Sequence, residues 1–169
     1  MLQKDFKLKK ILKILIHFFW KRNIHGLSIV KRDCNIARTS RVGPFCVIDG
    51  EGGKVIIGER CSVNASSWIG AGMSSIKIGN DVRIGTGVKI SCSHHNFDRT
   101  DIPIREQGIK NNCDIVIGND CWIGMGAIIC PNVVIGSGVI IGAGAVVVGN
   151  IPNNAVVVGN PAKIIKYRH

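Results

Sequence analysis

Large rings are scarce in this chain: one tyrosine, three tryptophans and five phenylalanines stand among 169 residues, against 21 glycines. A core built from that inventory does not rely on bulky aromatic packing, and so many glycines argue for many tight turns between slim, stacked layers. Acidic groups are also few, eleven against 22 lysines and arginines, for a formal charge of +11. The excess is concentrated at the ends. Residues 1–41 carry eleven basic side chains against Asp5 and Asp33, net +9, whereas residues 42–162 carry eight against nine, net −1. Lys163, Lys166 and Arg168 supply the remaining +3. A neutral body with basic ends lacks the continuous basic face that nucleic-acid reading requires, so no nucleic-acid partner is expected.

Three further absences narrow the reading. The seven cysteines include no C-x-x-C pair, and no small-residue cleavage site follows the basic start, so free thiols in a reducing cytoplasm are expected. No apolar run approaches the roughly 20 residues needed to span a bilayer. The stretch ILKILIHFFW at 11–20 is broken by Lys13 and His17. It reads instead as a basic amphipathic helix over residues 3–22, within an N-terminal unit of residues 1–34. That helix either packs on the protein body or a neighbouring subunit, or lies on the inner membrane surface as a peripheral contact. The third absence is a metal-ligand set. Of His17, His25, His94, His95 and His169 only the adjacent pair at 94–95 lies in the regular part of the chain. Neighbours on an extended chain point to opposite sides. Cys92 with either histidine would still want a third and fourth ligand, so no metal is expected.

What is present is a repeat. Aligned on an aliphatic residue followed by glycine, the chain reads in sixes: IIGERC, SVNASS, WIGAGM, then IKIGND, VRIGTG, VKISCS, and after a break IVIGND, CWIGMG, AIICPN, VVIGSG, VIIGAG, AVVVGN. On an α-helix every sixth residue falls a third of a turn from the last, so no single helical face collects them. A strand-and-turn unit that rotates the chain by a third of a circle does. Three units close one triangular coil, and coils stack at the parallel-strand spacing of about 4.8 Å. The fifth position of each six also points inward and must be small, which accounts for Cys46, Cys61 and Cys121 alongside Val82, Val88 and Val133 as core packing. About five coils are expected over residues 35–163, as one all-β domain with a polar loop at 94–114 and a C-terminal tail at 164–169.

This pattern resembles the hexapeptide-repeat proteins, which form left-handed parallel β-helices, over about residues 36–163. Three segments are similar to those of small trimeric O-acetyltransferases acting on galactosides, maltose and bacterial polysaccharides: HNFDRTDIPIREQG at 95–108, IVIGNDCWIGMGAIICPNVVIGSGVIIGAGAVV at 115–147, and IPNNAVVVGNPAKIIK at 151–166. The chain departs from many members at Asn132, where they carry Gly, and at Ala145, where they carry Ser.

The resemblance implies acetyl transfer from acetyl-CoA to a sugar hydroxyl, with a surface polysaccharide or its precursor as acceptor and a homotrimer as the assembly. A histidine with a pKa near 6.5 suits the deprotonation of an alcohol. By likeness His95 is that base and His94 its neighbour on the other side of the strand, with Asp98 or Glu106 as candidates to orient the ring. Asn64 and Trp122 correspond to acceptor-binding positions, with Asp98 also near the acceptor. Trp122, Gly124, Gly142, Ala143, Lys163 and Lys166 would meet coenzyme A. Two alternatives stay open: N-acetylation of an amino sugar nucleotide, which usually brings an extra nucleotide-binding domain, and a non-catalytic β-helix scaffold, which has no need to break its repeat at two histidines.

Overall fold

The computed structural model describes residues 20–21, 23–31 and 33–169. It is a parallel β-solenoid of six three-sided coils. Strand β1 (Trp20–Lys21) leads into a first coil of β2 (Ile24–His25), β3 (Ile29–Val30) and β4 (Cys34–Ile36). The second holds β5 (Arg41–Val42), β6 (Val47–Asp49) and β7 (Lys54–Ile57), and the third β8 (Ser62–Val63), β9 (Trp68–Gly70) and β10 (Ser75–Ile78). In the fourth, β11 (Arg83–Ile84) and β12 (Lys89–Ser91) are separated by a long loop from β13 (Ile115–Ile117). The fifth follows as β14 (Trp122–Ile123), β15 (Ile128–Ile129) and β16 (Val133–Ile135). The sixth comprises β17 (Ile140–Ile141), β18 (Val146–Val147) and a bridge from Ile151 to Ile135.

Axial aliphatic residues stack on like residues. On the first face Val42, Val63, Ile84, Ile123, Ile141 and Val157 fall in register. On the second face Ile48, Ile69, Ile90, Ile129 and Val147 do so, and on the third Ile57, Ile78, Ile117 and Ile135. All of these are buried, and each isoleucine contributes roughly 1.5–3 kcal/mol by leaving water. The small slot is filled as the repeat demands. Cys46, Cys61 and Cys121 are at most 2% exposed, and each thiol donates to a carbonyl of the next coil, at Asn64, Gly79 and Gly136, over 3.1 Å.

The corners explain the glycines. A Cβ on Gly124 would lie 2.6 Å from the backbone nitrogen of Ala143 in the coil above, too close for any side chain there. Asn132, the departure from the family's Gly, adopts φ +61°, a left-handed conformation that Asn tolerates better than most residues. At the corner between the third and first faces a polar ladder runs up the coils. Asn80 Oδ1 accepts from Glu59 N, Asn119 Oδ1 from Asn80 N, and Asn153 Oδ1 from Ser137 N, each at 2.8 Å.

Parallel register begins with Ile24 against Val42 and Ile29 against Val47, so six coils stack where five were expected, and stacking starts ahead of residue 35. The first coil's strands lack the aliphatic-glycine tag, yet their inward residues still cover the coil above. Most of the expected helix at 3–22 lies outside the described residues. Its last turn differs, because Trp20–Lys21 pairs antiparallel with Ile24–His25 and gives that edge backbone partners. At the opposite end, β19 (Ala155–Val158) continues the first face. Strand β20 (Lys163–Tyr167) then pairs with it antiparallel, covering the last edge in the same way.

Candidate active site

The loop leaves the solenoid after β12, at the corner between the second and third faces, and its neck is a short antiparallel pair. Lys110 N donates to His94 O over 2.7 Å and Asn96 N to Gly108 O over 3.0 Å, with His95 bridged to Ile109. Gln107 ties the loop together. Its Nε2 donates to the carbonyls of Arg99 and Ile102, its Oε1 accepts from Arg99 N, and its own carbonyl accepts from Asn96 Nδ2. One helical turn of the 3₁₀ kind, Ile104–Glu106, closes the tip. The returning chain docks on the coil below, Cys113 N donating to Ser74 Oγ at 2.9 Å and Ser75 N to Asp114 Oδ1 at 2.7 Å.

Strand alternation separates the two histidines. His94 is half-buried and stacks on Phe97, centroids 5.6 Å apart and planes at 16°. His95 is exposed, and its ring has no hydrogen-bond or ion-pair partner among the described residues. Asp98 is exposed on the loop, and Glu106 faces Arg105 at 3.6 Å, so neither carboxylate orients the His95 ring here. Cys92 is 1% exposed, and burial together with the nearby Asp114 carboxylate pushes its thiol up to about 12. A buried thiol raised in this way is a poor nucleophile.

The expected coenzyme residues gather on a different corner, between the first and second faces. Gly124 follows β14, and Gly142 and Ala143 follow β17 directly above it, with Gly124 N donating to Ile141 O at 2.7 Å. Higher still, Gly142 lies under Val158, which is paired with Lys163. Lys166 is paired with Val156 further along the same strand. At the same corner Gly87, Gly126 and Gly144 occupy equivalent places on successive coils, and a Cβ on any of them would meet nothing within 4 Å. These three glycines leave open space along the edge between the exposed Thr86, Met125 and Ala143 side chains, whereas Gly124 itself is buried. Asn64 sits on this edge two coils below Gly124, exposed, its carbonyl accepting from Ser67 Oγ at 2.8 Å.

Trp122 is 57% exposed on the first face, in register between Arg83 and Ile140. A groove of about 410 Å³ beside it is lined by Asp81, Arg83, Asp120, Ile140 and Arg168. Asp120 pairs with Arg168 at 3.0 Å, and Arg60 holds the Asp81 carboxyl below its usual range through a two-pronged contact at 2.6 and 2.7 Å. Within one chain, then, Asn64, Trp122, Gly124, Gly142, Ala143 and Lys163 share an edge, while His95 stands at the next corner across the second face. Neither Gln107 nor Arg83 was anticipated. Arg83 fills the same hexad position as Trp122, and superposing VRIG on CWIG would have found it. No pattern in the loop marks Gln107.

A profile described as "Bacterial transferase hexapeptide (six repeats)" matches residues 114–149. Protein CapG of Staphylococcus aureus is 40% identical over 143 residues, covering 83% of this chain and 75% of that protein. The chain spans between 42% and 63% of the length of four other curated relatives, which it matches at 35–46% identity. Among solved structures, a maltose O-acetyltransferase from Clostridium difficile 630 superposes with TM-score 0.67 at 32% identity, over 85% of this chain and 72% of that one. AntD, an N-acyltransferase from Bacillus cereus in complex with dTDP-4-amino-4,6-dideoxyglucose and coenzyme A, superposes with TM-score 0.77 at 25% identity, over 86% and 80%.

Proposed function

The chain belongs to the bacterial transferase hexapeptide family, and from that premise we propose that it carries an acetyl group from acetyl-CoA to a hydroxyl of a saccharide, a surface polysaccharide or its precursor. His95 is the general base. It takes the proton of the acceptor hydroxyl as that oxygen attacks the thioester carbonyl. The new C–O bond forms, the C–S bond breaks, and the coenzyme leaves as a thiolate that recovers a proton. The thioester is already activated, so direct transfer needs no covalent intermediate on the protein.

One observation carries this reading: an exposed histidine, without a side-chain partner among the described residues, stands where the stack of coils is interrupted, on a loop whose neck is fixed by its own hydrogen bonds. The open space at Gly126 and Gly144 suits the narrow pantetheine arm, with Lys163 and Lys166 toward the coenzyme phosphates. Because the base and that edge occupy different corners of one chain, the loop of one subunit serves the edge of the next. A closed ring of three satisfies this for every subunit.

A second reading, N-acetylation of an amino sugar nucleotide, is favoured by the likeness to AntD. Release of free thiol from acetyl-CoA, measured against a panel of neutral and amino sugars, separates the two by which acceptor turns over. His95→Ala is expected to lower kcat by roughly 10²- to 10⁴-fold, the usual worth of a general base, with the KM for acetyl-CoA little changed. Wild-type turnover in that variant would refute the mechanism.

A further inference from the structure

The outward side of the first face carries an unusual row. Arg41 pairs with Ser62, Ser62 with Arg83, and Arg83 with Trp122, each on the adjacent strand. Strand alternation puts Val42, Val63, Ile84 and Ile123 into the core and turns these four outward. Arg41, Arg83 and Trp122 are exposed, with the Ser62 hydroxyl half-buried between the two arginines. The guanidinium groups branch from Cα atoms two strand spacings apart, about 9.6 Å at a strand separation of about 4.8 Å.

Among the described residues neither arginine forms a salt bridge. The Arg83 charge acts on the Asp81 carboxylate, but that carboxylate is engaged by the two-pronged contact with Arg60. The Asp120 carboxylate is engaged by Arg168. Arg83 donates only to the carbonyl of Arg60, over 3.1 Å, and the Arg41 guanidinium meets no carboxylate among the described residues. Two guanidinium groups with no carboxylate salt bridge among the described residues, flanking a hydroxyl and with an exposed indole next in line, are suited to several anionic oxygens held together. A single carboxylate would occupy one of them.

Resting on the acetyl-transfer reading above, we propose that this row holds the diphosphate of the acceptor, so that the saccharide is acetylated while attached to a diphosphate carrier. The coenzyme's own phosphates are a poor match for the row. The coenzyme edge climbs from Gly124 through Gly142 to Lys163, toward the C-terminal end, whereas Arg41 and Arg83 lie on the second and fourth coils, on the other side of Trp122. Asn64, two residues beyond Ser62, lies at the end of the same strand row, within the acceptor's half of the face.

The test is calorimetric titration of the full-length protein, saturated with coenzyme A, with inorganic pyrophosphate, UDP-glucose, farnesyl diphosphoglucose and methyl glucoside. Pyrophosphate and at least one diphosphate sugar are expected to bind, each losing about tenfold or more in affinity in Arg41→Gln and in Arg83→Gln, the scale of a lost charge-assisted contact. Methyl glucoside is expected to be indifferent to both substitutions. Tighter binding of UDP-glucose than of farnesyl diphosphoglucose assigns a nucleotide-linked acceptor, and the reverse order a lipid-linked one. The proposal is overturned if pyrophosphate binds both variants as it binds the wild type, or if it displaces coenzyme A. Both arginines are exposed, and unchanged thermal melting verifies that the variants fold. Arginine-dependent pyrophosphate binding by a protein that never turns over acetyl-CoA would sink the transfer reading instead, leaving the anion row standing.

Discussion

Asp49 shows how one side chain's surroundings translate into a pH response. It is 5% exposed at the end of β6, accepts from Glu51 N at 3.0 Å and from Lys31 Nζ at 2.5 Å. The lysine contact is the main cause holding its carboxyl below the usual range. A carboxyl depressed in the folded state stabilises the fold above its unfolded pKa of about 3.9, and the contribution fades as pH falls through the folded value. Asp49→Asn is therefore expected to melt below the wild type at pH 7, with the gap closing below about pH 4. A gap that stayed constant down to pH 2 would assign the loss to packing alone. At this scale the exposure of His95 was legible, because alternation along VKISCSHH turns adjacent residues to opposite sides. Its missing carboxylate partner was not. Asp98 and Glu106 are near in sequence, but the loop's path is set by Gln107, whose contacts reach from Asn96 to Ile102.

That loop is the element whose internal order bears on the chemistry. Among the described residues Gln107 hydrogen-bonds to neither His95 nor the coenzyme edge, so it acts by positioning. Gln107→Leu is expected to lower kcat about tenfold or more through misplacement of the base, leaving the KM for acetyl-CoA unchanged. Equal losses in both parameters would mean that the loop also shapes the coenzyme site. The glycine edge makes the complementary prediction. Ala143 is exposed directly above Gly124, and Ala143→Trp would fill the open edge without entering the core. A rise of about tenfold or more in the KM for acetyl-CoA, with melting unchanged, is expected there. An unaffected KM would remove this edge from the coenzyme's path. The coils were legible wherever an axial aliphatic residue precedes glycine. The first coil escaped because IHG, IVK and NIA carry inward aliphatic residues without that tag, and corners made of other residues do not announce themselves.

Across the whole molecule, the relation between base and coenzyme edge depends on counting faces, and the loop destroys the count. Hexads advance one face at a time, but the residues between Ser91 and Ile115 obey no period, so His95 could not be phased against Gly124 from sequence. The solenoid places them at different corners, so the proposed mechanism needs the base of one chain and the edge of another. Complementation between subunits tests that directly. His95→Ala leaves the edge intact and Ala143→Trp leaves the base intact, so a mixed ring can hold an interface formed by two unaltered halves. If the chains assemble at random from equal co-expression, about one interface in four should be of this kind. Measured with acetyl-CoA well below its KM, where Ala143→Trp alone is slowed about tenfold, acetyl transfer should then return to roughly a quarter of the wild-type rate. A site confined to one chain predicts no recovery in the mixture, since every chain would still carry one defect.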